Sequence, residues 1–187
     1  MTFNFFQNTD TTKGAPGMNR ILWAPIDAIA SFPTLPATAS AAGQTVTSSG
    51  DFVFNSGEGW LDLVIDALKG SEMEDKSIGD PSAPGVETAV KGRSLGLSAQ
   101  LIEQFFQMKG VPGIVLVQDA QCPDGAWWVI GCSCDPAFLT FDFKSGAKGG
   151  NEAKGTSFEF KSAQEPYLYT GAIVLLQGLV ITIIYNP

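Results

Sequence analysis

The sequence predicts a mainly β domain, a β-sandwich or barrel of about 7–9 strands with one α-helix packed against it. Three observations carry this expectation. Short apolar runs recur along the 187 residues between clusters of Gly, Pro, Ser and Asp, the pattern of strands bounded by turns. Two segments alternate strictly: Leu139, Phe141 and Phe143 interleave with Phe138, Thr140 and Asp142, and Phe158 and Phe160 share one side of Thr156–Lys161, as half-buried strands require. Helical spacing is convincing only over Ser98–Lys109, where Leu101, Ile102, Phe105 and Phe106 recur on one face.

Taken in order, residues 1–19 mix aromatic and turn-forming residues, with Gly14, Pro16 and Gly17 close together, and are expected to form an extended N-terminal arm. Arg20–Ile26 is the first strand candidate. Residues 31–49, rich in Pro, Ala, Ser and Thr, are expected to be a surface loop, and strands resume near Asp51. Over Trp60–Leu68 both periods fit, because Leu61, Val64, Ile65 and Leu68 have helical spacing while Leu61, Leu63, Ile65 and Ala67 alternate with Asp62 and Asp66; the flanking glycines favour a strand. An acidic stretch with Gly79, Pro81 and Pro84 follows, giving an expected long exposed loop over about 69–91. Ser98 is placed to cap the helix, and Gly110 with Pro112 to stop it. Ile114–Gln118 and Ala126–Gly131, joined around Pro123–Gly125, form an expected hairpin. Phe138–Phe143, a glycine-rich loop over 144–155, Thr156–Lys161, and closing strands at Ile173–Leu176 and Leu179–Tyr185 complete a single domain over 1–187.

Composition narrows the function. Apolar residues make up 44% and charged residues 16% of the chain, a balance that folds instead of staying disordered. The formal charge of −8 and pI near 4.4 argue against tight binding to nucleic acid through phosphate neutralisation. With no histidine at all, the usual general base near neutral pH and the commonest metal ligand are missing. Cys122, Cys132 and Cys134 form an odd set, and the opening MTFNFFQNTD lacks a secretory pattern, so synthesis in a reducing cytoplasm is expected. Gly171–Tyr185 is shorter than the roughly 20 residues of a spanning helix and reads as buried strand.

Several motifs invite a chemical reading. Gly92-Arg93-Ser94-Leu95-Gly96 matches the G-x-S-x-G nucleophile elbow, but that triad needs a histidine; a Ser94–Lys91 pair is the remaining enzymatic option. In Gly149-Gly150-Asn151-Glu152-Ala153-Lys154-Gly155-Thr156 the lysine precedes the glycine and a strand pattern follows, unlike a phosphate-binding loop. The cysteines lack the ligand number and spacing of structural zinc. Glu72, Glu74 and Asp75, with Asp62 and Asp66, read as solvated acidic faces. Adjacent Trp127 and Trp128 point to opposite sides of a strand, one into the core and one toward a surface or interface. No catalytic residue, metal site or cofactor is expected.

The order of elements from about Gly92 to Ile173 resembles the tail tube proteins of tailed bacteriophages, in the form found in phages of Bacteroidetes-like hosts. The matching pieces are the helix at Ser98–Lys109, Ile114-Val115-Leu116-Val117-Gln118-Asp119, the Asp124-Gly125 turn and Trp128-Val129-Ile130-Gly131. Phe138-Leu139-Thr140, the loop Gly146–Gly155, Lys154-Gly155-Thr156-Ser157-Phe158-Glu159-Phe160 and Glu165-Pro166-Tyr167-Leu168-Tyr169-Thr170-Gly171 continue it. The resemblance implies a virion structural protein, assembled in the host cytoplasm, whose sheets join those of neighbouring copies into hexameric rings stacked as a hollow tube. Other tail proteins (terminator, baseplate, sheath) and double-stranded DNA passing without specific binding are the implied partners. On that reading Asp62 and Asp66 are candidates for the lumen wall; Glu72, Glu74 and Asp75, and the arm at 1–19, for contacts between rings; and Trp127 and Trp128 for an interface. The alternatives are another tail component of related fold, a carbohydrate-binding β-sandwich using Trp127 or Trp128, and a serine hydrolase through Ser94.

Overall fold

The computed structural model describes residues 18–36, 46–63, 65–66, 71–80, 82–119, 127–145 and 154–176. Among these, eleven strands and one α-helix form in the order β1 (Met18–Pro25), β2 (Ile29–Ser31), β3 (Val53–Phe54), β4 (Leu61–Leu63), β5 (Glu72–Asp80), β6 (Ala83–Leu95), α1 (Ala99–Met108), β7 (Gly113–Asp119), β8 (Trp127–Ile130), β9 (Phe138–Lys144), β10 (Gly155–Ser162) and β11 (Tyr167–Tyr169). The described residues are therefore mainly β with one α-helix, as the sequence predicts. The strands make three sheets: five strands in the order β11-β8-β7-β1-β4, four in the order β5-β6-β10-β9, and the β2-β3 pair. All strand pairs are antiparallel. Among the described residues no sheet closes into a barrel.

The five-stranded sheet is buried on both faces, which explains why its strands read as continuous apolar runs. Ile21 and Trp23 of β1, with Val115 and Val117 of β7, enter one core; Leu22 and Ala24, with Ile114 and Leu116, enter another. The first core lies between this sheet and the four-stranded one and receives Val90, Leu139, Phe158 and Phe160 from the latter, with Phe105 and Met108 from α1. The second core is covered by Phe52 and Trp60, which pack on the sheet together with Tyr167 and Tyr169 of β11, and Phe52 meets Trp60 and Tyr169 edge-on at 5.1 and 5.0 Å. Each such fully buried aromatic or aliphatic side chain contributes about 1.5–3 kcal/mol.

The helix begins where Ser98 was expected to cap it: the serine side chain accepts from the Leu101 backbone N–H at 3.2 Å. It ends as Gly110 takes φ +74°, a left-handed conformation that costs glycine little. The expected β7–β8 hairpin forms, with Leu116 opposite Val129.

Four expectations need correction. The exposed loop over about 69–91 is the β5–β6 hairpin, paired from Glu72–Lys91 to Asp80–Ala83. Its exposure was anticipated, but backbone hydrogen bonds and cross-strand ion pairs stabilise it where apolar alternation is sparse. Ile173–Leu176 is not a strand; it makes one isolated parallel bridge, Leu175 to Trp60. Tyr167–Tyr169, for which the sequence pattern predicts no strand, is the edge strand β11 on β8. Strand count rises from about 7–9 to eleven mainly through the hairpin and the short β2 and β11. The arm at 1–19 lies outside the described residues except for its last two, which already belong to β1, and so do residues 146–153 and 177–187.

Candidate functional site

Among the described residues the four-stranded sheet carries the longest edge strands of the molecule. Its inner face is the core just described; its outer face carries no covering element among the described residues. Cross-strand register gives the outer face row by row. Thr140, Glu159, Lys91 and Glu72 lie side by side, as do Phe138, Lys161, Ala89 and Glu74 in the next row. Asp142, Ser157 and Arg93 form the row beyond. A shallow, open cavity of about 660 Å³ is lined by the rows that hold Thr140 and Asp142.

Ion pairs lace this face. Lys91 Nζ is 2.7 Å from Glu72 and 3.5 Å from Glu74, Lys76 is 2.8 Å from Glu74, and Lys161 is 3.3 Å from Glu87 and 3.8 Å from Glu159. Hydrogen bonding to Lys76 holds the Glu74 carboxyl below its ordinary pKa, and hydrogen bonding to Glu72 raises that of Lys91. Carboxylates and cations alternate so closely that the face is near charge balance. The net −8 is carried elsewhere.

Among the described residues both edges of this sheet are open. β5 pairs only with β6 and β9 only with β10 among the described residues. β5 spans nine residues and β9 seven, long enough for several backbone donors and acceptors to face solvent, a template for another strand. The β5–β6 hairpin also runs past the end of β10, because the last β10–β6 pair is Ser162–Thr88 while hairpin pairing continues to Asp80–Ala83. Its turn is tied by the Asp80 carboxylate, which accepts from the Ser82 backbone N–H at 2.8 Å and hydroxyl at 2.6 Å; these bonds lower the Asp80 pKa. Ile78 near this tip and Phe138 at the start of β9 are about half exposed, 47% and 48%.

The structure separates residues that the sequence grouped. Asp62 lies on β4 in the five-stranded sheet, its carboxylate 2.6 Å from the Arg20 guanidinium. Asp66 sits where the chain crosses to the other sheet, its backbone N–H donating to the Arg93 carbonyl. The two do not share one sheet face. Glu72 and Glu74 are on the outer face, whereas Asp75 accepts from the buried Thr88 hydroxyl at 2.9 Å and so belongs to the inner side of β5. Trp127 is buried in the second core and Trp128 is half-buried against the first. The two rings point to opposite faces of β8, Trp127 fully into one core and Trp128 only partly buried on the other side. Lys161 and Ile78, which help complete the outer face and its edges, are not singled out by the sequence, whereas Phe138 and Asp142 stand on the polar side of the alternation over 138–143 and Lys91 enters there only as a possible partner of Ser94.

The chemical motifs dissolve into packing. Ser94 lies near the end of β6, opposite Thr156, and at 1% exposure its hydroxyl is buried in the sheet packing instead of being presented at a turn. Gly155 opens a strand, not a helix. Cys132 donates to Gln164 Oε1 at 3.4 Å and accepts from the Asp135 backbone N–H, and both it and Cys134 are free thiols; Cys122 lies outside the described residues. Among the described residues no group of three or more His, Cys, Asp or Glu is arranged to hold a metal, and no helix is long and apolar enough to cross a membrane. No protein-family model, curated protein or solved structure matches this chain.

Proposed function

We propose that this chain is a structural subunit that joins copies of itself edge to edge into closed rings, stacked as the hollow tail tube of a bacteriophage, and that it has no enzymatic role. One observation carries the reading. The open four-stranded sheet has an even number of antiparallel strands, so its two edges, β5 and β9, run in opposite directions. A neighbour related by rotation about an axis along the strands therefore brings its β5 antiparallel to β9, and the same joint repeats until the ring closes. Closure removes both edges, which are aggregation hazards in a monomer.

The dimensions suit the role taken from the resemblance. Six copies supply twenty-four strands, which at about 4.8 Å spacing give a circumference of about 115 Å and a backbone diameter of about 37 Å before strand tilt widens it. The charged outer face then becomes the wall of the bore. Lys76, Lys91 and Lys161 are held by neighbouring carboxylates, so the face offers phosphates no continuous cationic stripe to grip, and a duplex passes without being retained. This replaces Asp62 and Asp66 with Glu72, Glu74, Glu87, Asp142 and Glu159 as the carboxylates of the wall. The projecting β5–β6 hairpin, marginal as an isolated two-stranded ribbon, gains support by resting on the next ring.

Negative-stain electron microscopy of the purified chain across a concentration series tests the proposal. Six-membered rings or hollow tubes are expected; a particle that stays monomeric at every concentration would remove it.

A further inference from the structure

Resting on the ring reading, we infer the register of the joint: β9 of one copy pairs with β5 of the next so that Phe138 faces Ile78 and Lys144 faces Glu72. Outer-face residues carry even numbers on both strands, because Glu72 meets Lys91 on β5's side and Thr140 meets Glu159 on β9's. The joint must keep outer with outer, so registers differ by steps of two residues.

In the inferred register all seven residues of β9 find partners within the nine of β5. On the outer face the two half-exposed apolar side chains, Phe138 and Ile78, cover each other. At the other end the exposed Lys144 and Glu72 form an ion pair. On the inner face Phe143 meets Met73, both partly buried hydrophobics at the margin of the first core, which makes that core continuous across the joint. The unfavourable pair is Asp142 with Glu74, and Glu74 is already held by Lys76 and Lys91. A slip of two residues toward the hairpin tip sets Phe138 against Asp80 and Phe143 against Asp75, burying rings on carboxylates. The opposite slip sets Phe138 against Lys76 and Asp142 against Glu72. Cross-strand partners of this kind each shift stability by roughly 0.2–1 kcal/mol, and six joints multiply the preference.

The test uses two single-substitution versions of the full chain, Ile78→Cys and Phe138→Cys, mixed before assembly and oxidised mildly. Directly opposed residues have Cα atoms about 4.5–5.5 Å apart, within reach of a disulfide. Covalent dimers containing one of each chain, with the 78–138 linkage mapped by mass spectrometry, are expected from the mixture and not from either chain alone. Glu72→Cys mixed with Lys144→Cys should crosslink likewise, so a folding defect in one pair leaves the other to decide. Asp80→Cys or Lys76→Cys mixed with Phe138→Cys reports the slipped registers. If rings are visible by electron microscopy but only a slipped pair crosslinks, the register is overturned and the ring reading stands. Chains that stay monomeric in the microscope sink both.

Discussion

Gly92 offers a direct test of whether the G-x-S-x-G segment is packing or chemistry. It lies on β6 directly opposite Phe158 of β10, and the phenylalanine ring lies across the space where a side chain would be. A Cβ built on Gly92 would stand 2.3, 2.7 and 3.0 Å from three ring atoms, where carbon atoms prefer about 3.5–4.0 Å. The ring cannot simply retreat, because Phe105 and Phe160 sit at centroid distances of 5.3 and 5.8 Å behind and beside it. Gly92→Ala is therefore an overpacking change of about 1–3 kcal/mol. For a domain of this length that lowers the thermal midpoint by about 3–10 °C, measured on the unassembled chain at one fixed concentration, since assembly would add its own stabilisation. Adding Phe158→Leu should return part of the loss, a coupling between neighbours that distant sites do not show. A midpoint within about 1 °C of the parent, or strictly additive effects in the double variant, would refute the reasoning.

Other perturbations act on separate elements. Ser98→Ala removes the cap on α1 and should cost about 0.5–2 kcal/mol in denaturant titration. Phe105→Ala, which empties the centre of the aromatic group formed with Phe141 and Phe158, should cost about 3–5 kcal/mol by the same measurement. Tyr169→Phe loses the bond from its hydroxyl to the Ala172 carbonyl at 2.7 Å and the contact with Asp51, and about 0.5–1.5 kcal/mol is expected to go with it. Burial also raises the pKa of Tyr167 and of Tyr169 above the ordinary 10.0, with Cys132 and Asp51 respectively adding to the effect. The folded state thus keeps protons that the unfolded chain releases above about pH 10, so this contribution is intact below that pH and lost as pH rises further. Unfolding midpoints measured from pH 8 to 11 should fall at the alkaline end, and the fall should be shallower in Tyr167→Phe and Tyr169→Phe.

Much of the architecture could be read before the structure because it rests on local pattern. The helix was legible from Leu101, Ile102, Phe105 and Phe106 at one spacing and from Ser98 and Gly110 at its ends, all within a dozen residues. β9 and β10 were legible because one face meets the core and the other meets solvent, which writes itself as alternation. Composition alone removed histidine from every mechanism. The β5–β6 hairpin was hidden, since an exposed strand pair needs no apolar alternation and its glycines and prolines look like those of a loop. The pairing of Lys91 with Glu72, the separation of Asp62 from Asp66, and the cores that Trp127 and Trp128 meet depend on which strands lie beside which, over separations of tens of residues. Strand order leaves no local trace in a sequence, because any two strands of suitable length can form the same backbone bonds; only the packed cores decide which pairs do, and hence which edges remain open.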